Sequence, residues 1–280
     1  MIVTDAGLTA AGVSGQIEEY VKAAEIECVV FDRAFQQIPF SRAPPEPPVA
    51  TAADGCANRR AEVTANPTMS VVEAGIKVLN TMPEGTAIVS LGGGSSMDAA
   101  KAMSVIGPDG GLSGEDIAAY CMVPELEDGK ETINMATMRP KKFATATAAK
   151  IIAIPTTSGT ASETNGAAVI SDDRTEIHRK LIFQYPGAMA QQTILDPELT
   201  LGLPAYPTAT CGMDALVHSI EALTSARQNP YSDAVSTATA CKLLRVSALH
   251  PPLTDRIMGL WVYYRSRSDL SSSSLSGSLS

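Results

Sequence analysis

Short apolar runs alternate with amphipathic stretches along the first part of this chain. Residues 1–4 form one apolar run, a helical pattern continues through Val21, and a second apolar run follows at 26–31. Two strands joined by one helix make a βαβ unit, whose strands lie parallel in one sheet. Further apolar runs predict strands at 86–91, 151–154, 167–170, 180–184 and 193–195, and apolar residues at helical spacing predict helices at 68–79 and 97–106.

The pattern becomes purely helical after Asp196-Pro197. Residues 207–223 and 232–248 carry apolar stripes at helical spacing and contain few strand-forming residues. We therefore predict an α/β domain at the beginning of the chain and helices after it. The predicted boundaries are 1–200 for the α/β domain, 201–250 for the start of a helical domain and 251–280 for a divergent, disordered Ser/Leu/Gly tail.

Two segments of the predicted α/β domain lack a regular pattern. Residues 33–62 are rich in proline, which sustains neither a helix interior nor a central strand, so we predict a loop or an insertion there. Residues 107–142 contain several glycines and prolines and predict a second loop-rich region.

Composition restricts the classes of partner. The formal net charge of -9 argues against general affinity for nucleic acid, because binding phosphates needs a local excess of Lys and Arg. No apolar run approaches the roughly 20 residues that span a bilayer, and the first five residues lack the basic region of a signal peptide. The 5 cysteines show no paired spacing. We therefore expect a cytoplasmic protein that binds a small molecule, with no nucleic-acid or membrane partner.

A glycine-rich turn joins the predicted strand 86–91 to the helix that follows it. Its residues are Gly92-Gly93-Gly94-Ser95-Ser96-Met97-Asp98. Glycines let backbone amides approach a phosphate, and the helix N-terminus adds partial positive charge, so the turn is a candidate diphosphate site. It lacks the third glycine of the Rossmann fingerprint. The alternatives are a plain turn, or a capping box formed by Ser95 and Asp98.

A threonine-rich loop follows the predicted strand 151–154. Its residues Thr156, Thr157, Ser158, Gly159 and Thr160 offer hydroxyl groups and a flexible backbone at the carboxyl edge of the sheet. Ligands of α/β proteins bind at that edge. The alternative is a helix N-cap in which Thr160 and Glu163 form a capping box.

Acidic and imidazole side chains mark two other places. Asp214 and His218 lie four residues apart, so they share one helical face, and one oxygen and one nitrogen donor together suit a divalent metal. The alternative is Asp214 on the helix dipole with His218 hydrogen-bonded to it.

Asp5 follows the first strand, where an acidic residue binds a ribose hydroxyl or caps a turn.

Four motifs together point to a known family. They are Gly92-Gly93-Gly94-Ser95 with Asp98 and Lys101, Pro155-Thr156-Thr157-Ser158-Gly159-Thr160, Asp196-Pro197-Glu198-Leu199, and Gly212-Met213-Asp214-Ala215 with His218 and Glu221. In this order they resemble the iron-containing alcohol dehydrogenase family, over roughly residues 1–32 and 63–245. The resemblance implies a dehydroquinate synthase-like fold, in which an α/β dinucleotide-binding domain precedes an all-α domain that is incomplete here.

The resemblance also implies cofactors and the residues that hold them. NAD is expected rather than NADP, because a carboxylate at Asp5 repels a 2′-phosphate. The other residues expected to contact this cofactor are Asn66, Gly93, Gly94, Ser95, Asp98, Thr156, Thr157, Thr160, Lys180 and Leu199. Asp214 and His218 match the first two of the family's four metal ligands, for Fe(II) or another divalent ion such as Zn(II), and would be catalytic. The expected substrate is an alcohol or aldehyde, and the expected assembly is a homodimer.

The sequence also departs from the family pattern. The family's two remaining histidine ligands lie further downstream, and neither His178 nor His250 occupies a matching motif. We therefore expect a family member truncated at both ends, with little activity unaided. The alternatives are a non-catalytic nucleotide-binding remnant and a polyol dehydrogenase or dehydroquinate synthase relative; the threonine-rich loop and Asp196-Pro197-Glu198 favour the alcohol dehydrogenase branch.

Overall fold

The computed structural model describes residues 1–34, 66–122, 125–127, 130–132, 139–174 and 179–249. Most of the predicted loop 33–62, the predicted tail 251–280, His178 and His250 lie outside the described residues. The strands are β1 (Ile2–Val3), β2 (Val30–Phe31), β3 (Ile88–Gly92), β4 (Glu125–Glu127), β5 (Lys130–Thr132), β6 (Ile151–Pro155), β7 (Ala167–Ser171), β8 (Lys180–Gln184) and β9 (Gln192–Thr193).

Helices connect and follow these strands. The α-helices are α1 (Ala6–Ala10), α2 (Val13–Ala23), α3 (Met69–Leu79), α4 (Gly94–Ile106), α5 (Gly114–Tyr120), α6 (Ala205–Thr224) and α7 (Pro230–Leu249). Short 3₁₀ helices occur at Ser162–Thr164, Pro186–Ala188 and Pro197–Thr200. No helix among the described residues is both long enough and apolar enough to cross a membrane.

The main sheet has five parallel strands in the order β2-β1-β3-β6-β9. The chain moves outward from β1 to β2 on one side, then returns to β3 and continues to β6 and β9 on the other. The strand order therefore reverses between β1 and β3. In doubly wound α/β sheets, ligands bind outside the carboxyl ends of the strands at such a switch point. The topology thus singles out the ends of β1 and β3.

Helices cover both faces of this sheet. On one face Val3 and Ile88 pack with α3 and α4, through side chains that include Val72 and Met103. On the other face Ile2, Leu91 and Ile154 form a second cluster, against which Leu8, Val13 and Ile17 of α1 and α2 pack. Burial on both faces explains why β3 and β6 read as continuous apolar runs rather than as alternating ones. The predicted fold class, an α/β dinucleotide-binding domain followed by helices, is confirmed.

Local signals account for α3. Thr68 is its N-cap, and the Thr68 side chain accepts a hydrogen bond from Val71 N at 3.3 Å, as its position before the apolar-periodic segment predicts. The helix buries Val72 and Ile76, which lie four residues apart on one face. The prediction of a helix at 68–79 is confirmed.

Two sequence predictions need correction. The region 107–142 is not loop throughout, because α5 occupies Gly114–Tyr120 and begins with a capping box between Ser113 and Asp116. The signal was present as a serine followed three residues later by an acidic residue, but a helix of seven residues is too short to show clear periodicity. The second strand is also shorter than predicted, since only Val30–Phe31 pair with β1.

The last two described helices, α6 and α7, pack against each other. Ala215 and Ser219 of α6 are buried, as are Ser236, Thr239 and Leu243 of α7. The last strand ends at Thr193 and α6 begins at Ala205. The proposed domain boundary near residue 200 falls between them and stays a prediction.

Candidate functional site

Asp5 and the glycine turn flank the switch point of the sheet. Asp5 follows β1, and its Oδ1 accepts a hydrogen bond from Leu8 N at 3.0 Å, so the side chain caps α1. A methyl group placed on Gly92, at the end of β3, would lie 3.5 Å from Asp5 Oδ2. Gly92 has a φ of 146°, which side chains with a Cβ rarely adopt. Asp5 therefore performs the capping role and also brings its second oxygen to the border of the glycine turn.

The glycine turn and the threonine-rich loop are in direct contact. A methyl group on Gly93 would lie 3.0 Å from Thr157 Cγ2, and one on Gly94 would lie 2.8 Å from Thr160 Cγ2 and 3.0 Å from Thr160 Oγ1. These distances are shorter than ordinary van der Waals contacts, so a larger residue at either position would displace a threonine side chain. The backbone joins the loops as well, because Thr156 N donates to Gly92 O at 3.0 Å.

The first turn of α4 belongs to this site. The helix begins at Gly94 with Gly93 as N-cap, and no side chain caps it. The amide end of a helix with a glycine cap attracts anionic groups. The alternative in which Ser95 and Asp98 form a capping box is wrong, because the helix starts before Ser95. The Asp98 carboxylate is engaged elsewhere, by Val169 N at 2.9 Å and Ser162 Oγ at 2.5 Å.

A buried lysine lies beneath the same turn of α4. Lys101 is 2% exposed, and its Nζ lies 3.7 Å from Asp98 Oδ1. Burial raises the pKa of Asp98, and the Lys101 ammonium and the Ser162 hydroxyl oppose that rise. In the sequence Lys101 belongs to one of the four motifs, and that motif predicts no role for it. The three-residue spacing of Asp98 and Lys101 on a helix was the available signal.

The segment after the threonine-rich loop is a tight turn rather than a full helix. A 3₁₀ helix spans Ser162–Thr164, and its N-cap is Ala161, with a φ of 51°. The alternative of a capping box between Thr160 and Glu163 is therefore wrong, because the cap lies one residue later. Thr160 Oγ1 accepts only a long bond, from Ser162 N at 3.4 Å.

The remaining predicted cofactor residues lie in different places. Leu199 packs against the cluster of Ile2, Leu91 and Ile154 on the α1 and α2 face of the sheet. Lys180 begins β8 opposite Ser171, and Asn66 directly precedes Pro67, whose carbonyl accepts from Ser171 N at 2.9 Å. Asn66 and Lys180 therefore lie on the side of the β7–β8 hairpin rather than in the contact between the two loops. Their part in binding stays a prediction, as does that of Leu199, of Ser95 and of the predicted cofactor residues in the two loops and at Asp5 and Asp98.

Asp214 and His218 lie one turn apart in the middle of α6. His218 Nε2 is 3.7 Å from Asp214 Oδ1, and the side chains are 28% and 40% exposed. That separation exceeds hydrogen-bond length, and α6 begins nine residues before Asp214, beyond the reach of a helix-end dipole. The dipole alternative is therefore wrong.

The donor pair fits part of a metal shell. With metal–ligand distances of about 2.1 Å and tetrahedral angles, two donors lie about 3.4 Å apart, close to the observed separation. Within the part of the chain that the structure describes, no group of three or more His, Cys, Asp or Glu side chains is arranged to hold a metal.

Gly159 connects the threonine-rich loop to α6. A methyl group on Gly159 would lie 2.8 Å from Cys211 Cα and 2.9 Å from the Cys211 carbonyl carbon. Backbone therefore packs on backbone, which only glycine permits. Because Cys211 is three residues before Asp214, this contact brings the turn of α6 that precedes Asp214 next to the threonine-rich loop.

The chain is similar to known oxidoreductases in sequence and in fold. The chain is 30% identical to alcohol dehydrogenase 4 of Saccharomyces cerevisiae over 84% of its length and 47% of that protein's. It is 32% identical to 4-hydroxybutyrate dehydrogenase of Cupriavidus necator over 84% of its length and 48% of that protein's. Its fold matches the crystal structure of a 1,3-propanediol oxidoreductase with a TM-score of 0.65 and 26% identity, over 95% of this chain and 56% of that one.

The chain spans about half the length of the curated relatives it matches. The family described as iron-containing alcohol dehydrogenase matches residues 46–197, which include the glycine turn, the threonine-rich loop and part of the segment predicted as a loop or insertion. More than half of the chain lies in that match. The chain therefore belongs to the iron-containing alcohol dehydrogenase family.

Proposed function

We propose that this chain carries the cofactor-binding part of a metal-dependent oxidoreductase that transfers hydride between an alcohol and NAD. One observation supports the proposal above all. Gly93 and Gly94 contact Thr157 and Thr160 at the switch point of the sheet, and Gly159 of the same loop contacts the helix that bears Asp214 and His218. These contacts support a proposal in which the threonine-rich loop lies between the residues that bind the dinucleotide and the helix that carries the metal donors.

Each element of the proposed dinucleotide site has a physical task. The amide end of α4 attracts the diphosphate, and the glycines let it approach the backbone. The Thr157 and Thr160 hydroxyls offer hydrogen bonds toward the rest of the dinucleotide. The Asp5 carboxylate accepts hydrogen bonds from the adenosine ribose and disfavours a 2′-phosphate, so we expect NAD to bind more tightly than NADP. The bound nicotinamide supplies the hydride chemistry.

Asp214 and His218 would hold the metal, as one oxygen and one nitrogen donor on a single helical face. When bound there, an ion such as Fe(II) or Zn(II) supplies Lewis acidity toward an alcohol oxygen. In this proposal α6 carries both donors one helical turn apart, on a helix whose Cys211 backbone packs against Gly159 of the threonine-rich loop. A small alcohol or aldehyde is the substrate class this arrangement supports.

Cofactor titration tests the proposal directly. Isothermal titration calorimetry of the purified chain with NAD should show saturable binding, and NADP should bind at least about tenfold more weakly because of charge repulsion at Asp5. Gly94→Val is the matched loss variant, since its side chain would occupy the place of Thr160, while Gly202→Ala is the matched control, with no heavy atom within 4 Å of the added methyl. Absence of NAD binding by the folded chain would refute the proposal.

A second candidate is a nucleotide-binding protein without turnover. It is favoured by the observation that the described residues bring together only two metal donors, Asp214 and His218. Metal titration followed by an alcohol oxidation assay separates the candidates. Turnover that depends on added Fe(II) or Zn(II), and that His218→Ala abolishes, supports the enzyme; NAD binding without metal uptake or turnover supports the second candidate. The homodimer and the cytoplasmic location stay predictions, for light scattering and cell fractionation.

A further inference from the structure

Lys101 makes an extensive set of hydrogen bonds inside the protein. Its Nζ donates to Ser162 Oγ at 2.6 Å, to Asn165 Oδ1 at 3.1 Å and to Ala167 O at 2.6 Å. An ammonium group has three donors, and each of them has an acceptor here. The acceptors span 162–167, which follows the threonine-rich loop directly, so one side chain of α4 fixes the path of the chain as it leaves that loop.

Asp98 completes the connection from the same helix. Ser162 Oγ donates to Asp98 Oδ1 at 2.5 Å, and Val169 N donates to Asp98 Oδ2 at 2.9 Å. Ser162 therefore lies between the two charged groups, donating to Asp98 and accepting from Lys101. Thr160, two residues before Ser162, contacts Gly94 in the first turn of α4. The network of Asp98, Lys101 and Ser162 thus lies one to two turns below the contact between the loops.

The energetics favour a positioning role over a stabilising one. Removing a lysine and an aspartate from water costs several kcal/mol per ion, on the order of the attraction gained, so a buried pair adds little net stability. Its hydrogen bonds are directional, however, and charge-assisted bonds are the strongest available to side chains. An ion pair in this place therefore fixes geometry more than it lowers the free energy of folding.

We propose that Lys101 and Asp98 are positioning residues for the dinucleotide, which hold the threonine-rich loop against the glycine turn before the cofactor arrives. This inference rests on the proposed function, because it assigns the loop to the cofactor. Neither side chain needs to touch the dinucleotide: Asp98 acts through Ser162, and Lys101 acts through Ser162, Asn165 and the Ala167 carbonyl. A preformed loop removes the ordering cost that binding would otherwise carry.

The experiment compares Lys101→Met and Ser162→Ala with Ile106→Val in the full chain. Ile106 is fully buried on the same helix, and its truncation costs about 1 kcal/mol without touching the network. Calorimetric titration with NAD and with ADP gives the affinity, and hydrogen–deuterium exchange of amides 156–165 reports the order of the loop. In Lys101→Met and Ser162→Ala we expect the Kd of both ligands to rise about tenfold and exchange of 156–165 to accelerate, as loss of preorganisation requires.

Ile106→Val separates positioning from simple destabilisation. It should lower the melting temperature while leaving both Kd values within about twofold of the original, since a core truncation that shares no hydrogen-bond partner with the network adds independently. If Lys101→Met does not fold, Ser162→Ala decides, because it removes a single hydroxyl. Unchanged Kd and unchanged loop exchange in the folded variants overturn the inference while NAD binding by the original chain upholds the proposed function. Loss of NAD and ADP binding in the original chain itself overturns both.

Discussion

Gly159→Ala tests the contact that joins the two halves of the proposed site. The added methyl group would lie 2.8 Å from Cys211 Cα and 2.9 Å from its carbonyl carbon, whereas carbon atoms in proteins pack at about 3.5–4.0 Å. Because the opposing atoms are helix backbone, no change of rotamer relieves the overlap. The threonine-rich loop and α6 must therefore separate by about 0.7 Å or more.

The network around Lys101 decides which side moves. The loop is held by Ser162 and by the contact of Thr160 with Gly94, whereas α6 presents half-exposed apolar side chains. We therefore expect α6 to shift and the loop to stay. Overpacking of this kind costs about 1–3 kcal/mol, which lowers the melting temperature by about 2–10 °C. Affinity for NAD should stay within about threefold, because the loop keeps its place.

Thermal unfolding by circular dichroism and NAD titration measure the two quantities on one preparation. Gly202→Ala is the control, since an added methyl there meets no heavy atom within 4 Å and its cost should stay within about 0.5 kcal/mol. A melting temperature for Gly159→Ala equal to that of the control would show that the backbone contact is not close. A weakening of NAD binding by more than about tenfold would show that the loop moves instead of α6.

Three further substitutions test other parts of the structure. The Tyr120 hydroxyl and two loop amides hold the pKa of Asp109 well below its usual range, so the stability from these bonds is full above about pH 4 and is lost as the pH falls. Asp109→Asn should therefore lower the free energy of unfolding by about 2 kcal/mol at pH 7 and by less at pH 3, as measured by urea denaturation; an equal loss at both values contradicts the argument. Gly15→Ala, in α2 with open space around it, should raise the free energy of unfolding by about 0.5–1 kcal/mol, and a lower melting temperature would speak against it. Asp5→Asn keeps an acceptor for the α1 cap but removes the charge, so NADP titration should show tighter binding by about tenfold, and an unchanged ratio of NAD to NADP affinity would contradict the ribose role.

The sequence predicted the parts of the fold that depend on local pattern. The apolar runs of β3 and β6 and the glycine and threonine residues that follow them lie within a few positions of each other, so the strand ends and their loops could be identified together. The start of α3 could be predicted in the same way, because Thr68 is an N-cap residue directly before the helical pattern. The contact between the two loops was not predicted, although it is consistent with the parallel order of the strands that precede them.

The parts that were missed depend on contacts between distant segments. The sequence indicated Asp98 as a local helix cap, yet its carboxylate accepts a hydrogen bond from Val169 N, which is 71 positions away. The sequence indicated an ordinary helix residue at Lys101. In the structure its ammonium group is buried, with three hydrogen-bond acceptors that lie 61 to 66 positions away in the sequence. No periodicity encodes such partners, since a charged residue on a helix is exposed by default. The short helix α5 was not predicted for a related reason. It is stabilised by the packing of Ile117 and Tyr120 in the core, which no local pattern indicates.

The two candidate motifs could each be identified in the sequence, but the distance between them could not. The glycine turn is a strand-to-helix signal, and Asp214 with His218 is a helix-face signal, and neither contains information about the other. Their proximity depends on Gly159, because the absence of a side chain there lets the backbones of the loop and of α6 come into contact. Hydride transfer demands reacting groups placed to within about 0.5 Å. In the proposed function, the residue that brings the threonine-rich loop to the helix of the metal donors therefore contributes no functional group, and its effect follows only from the folded structure.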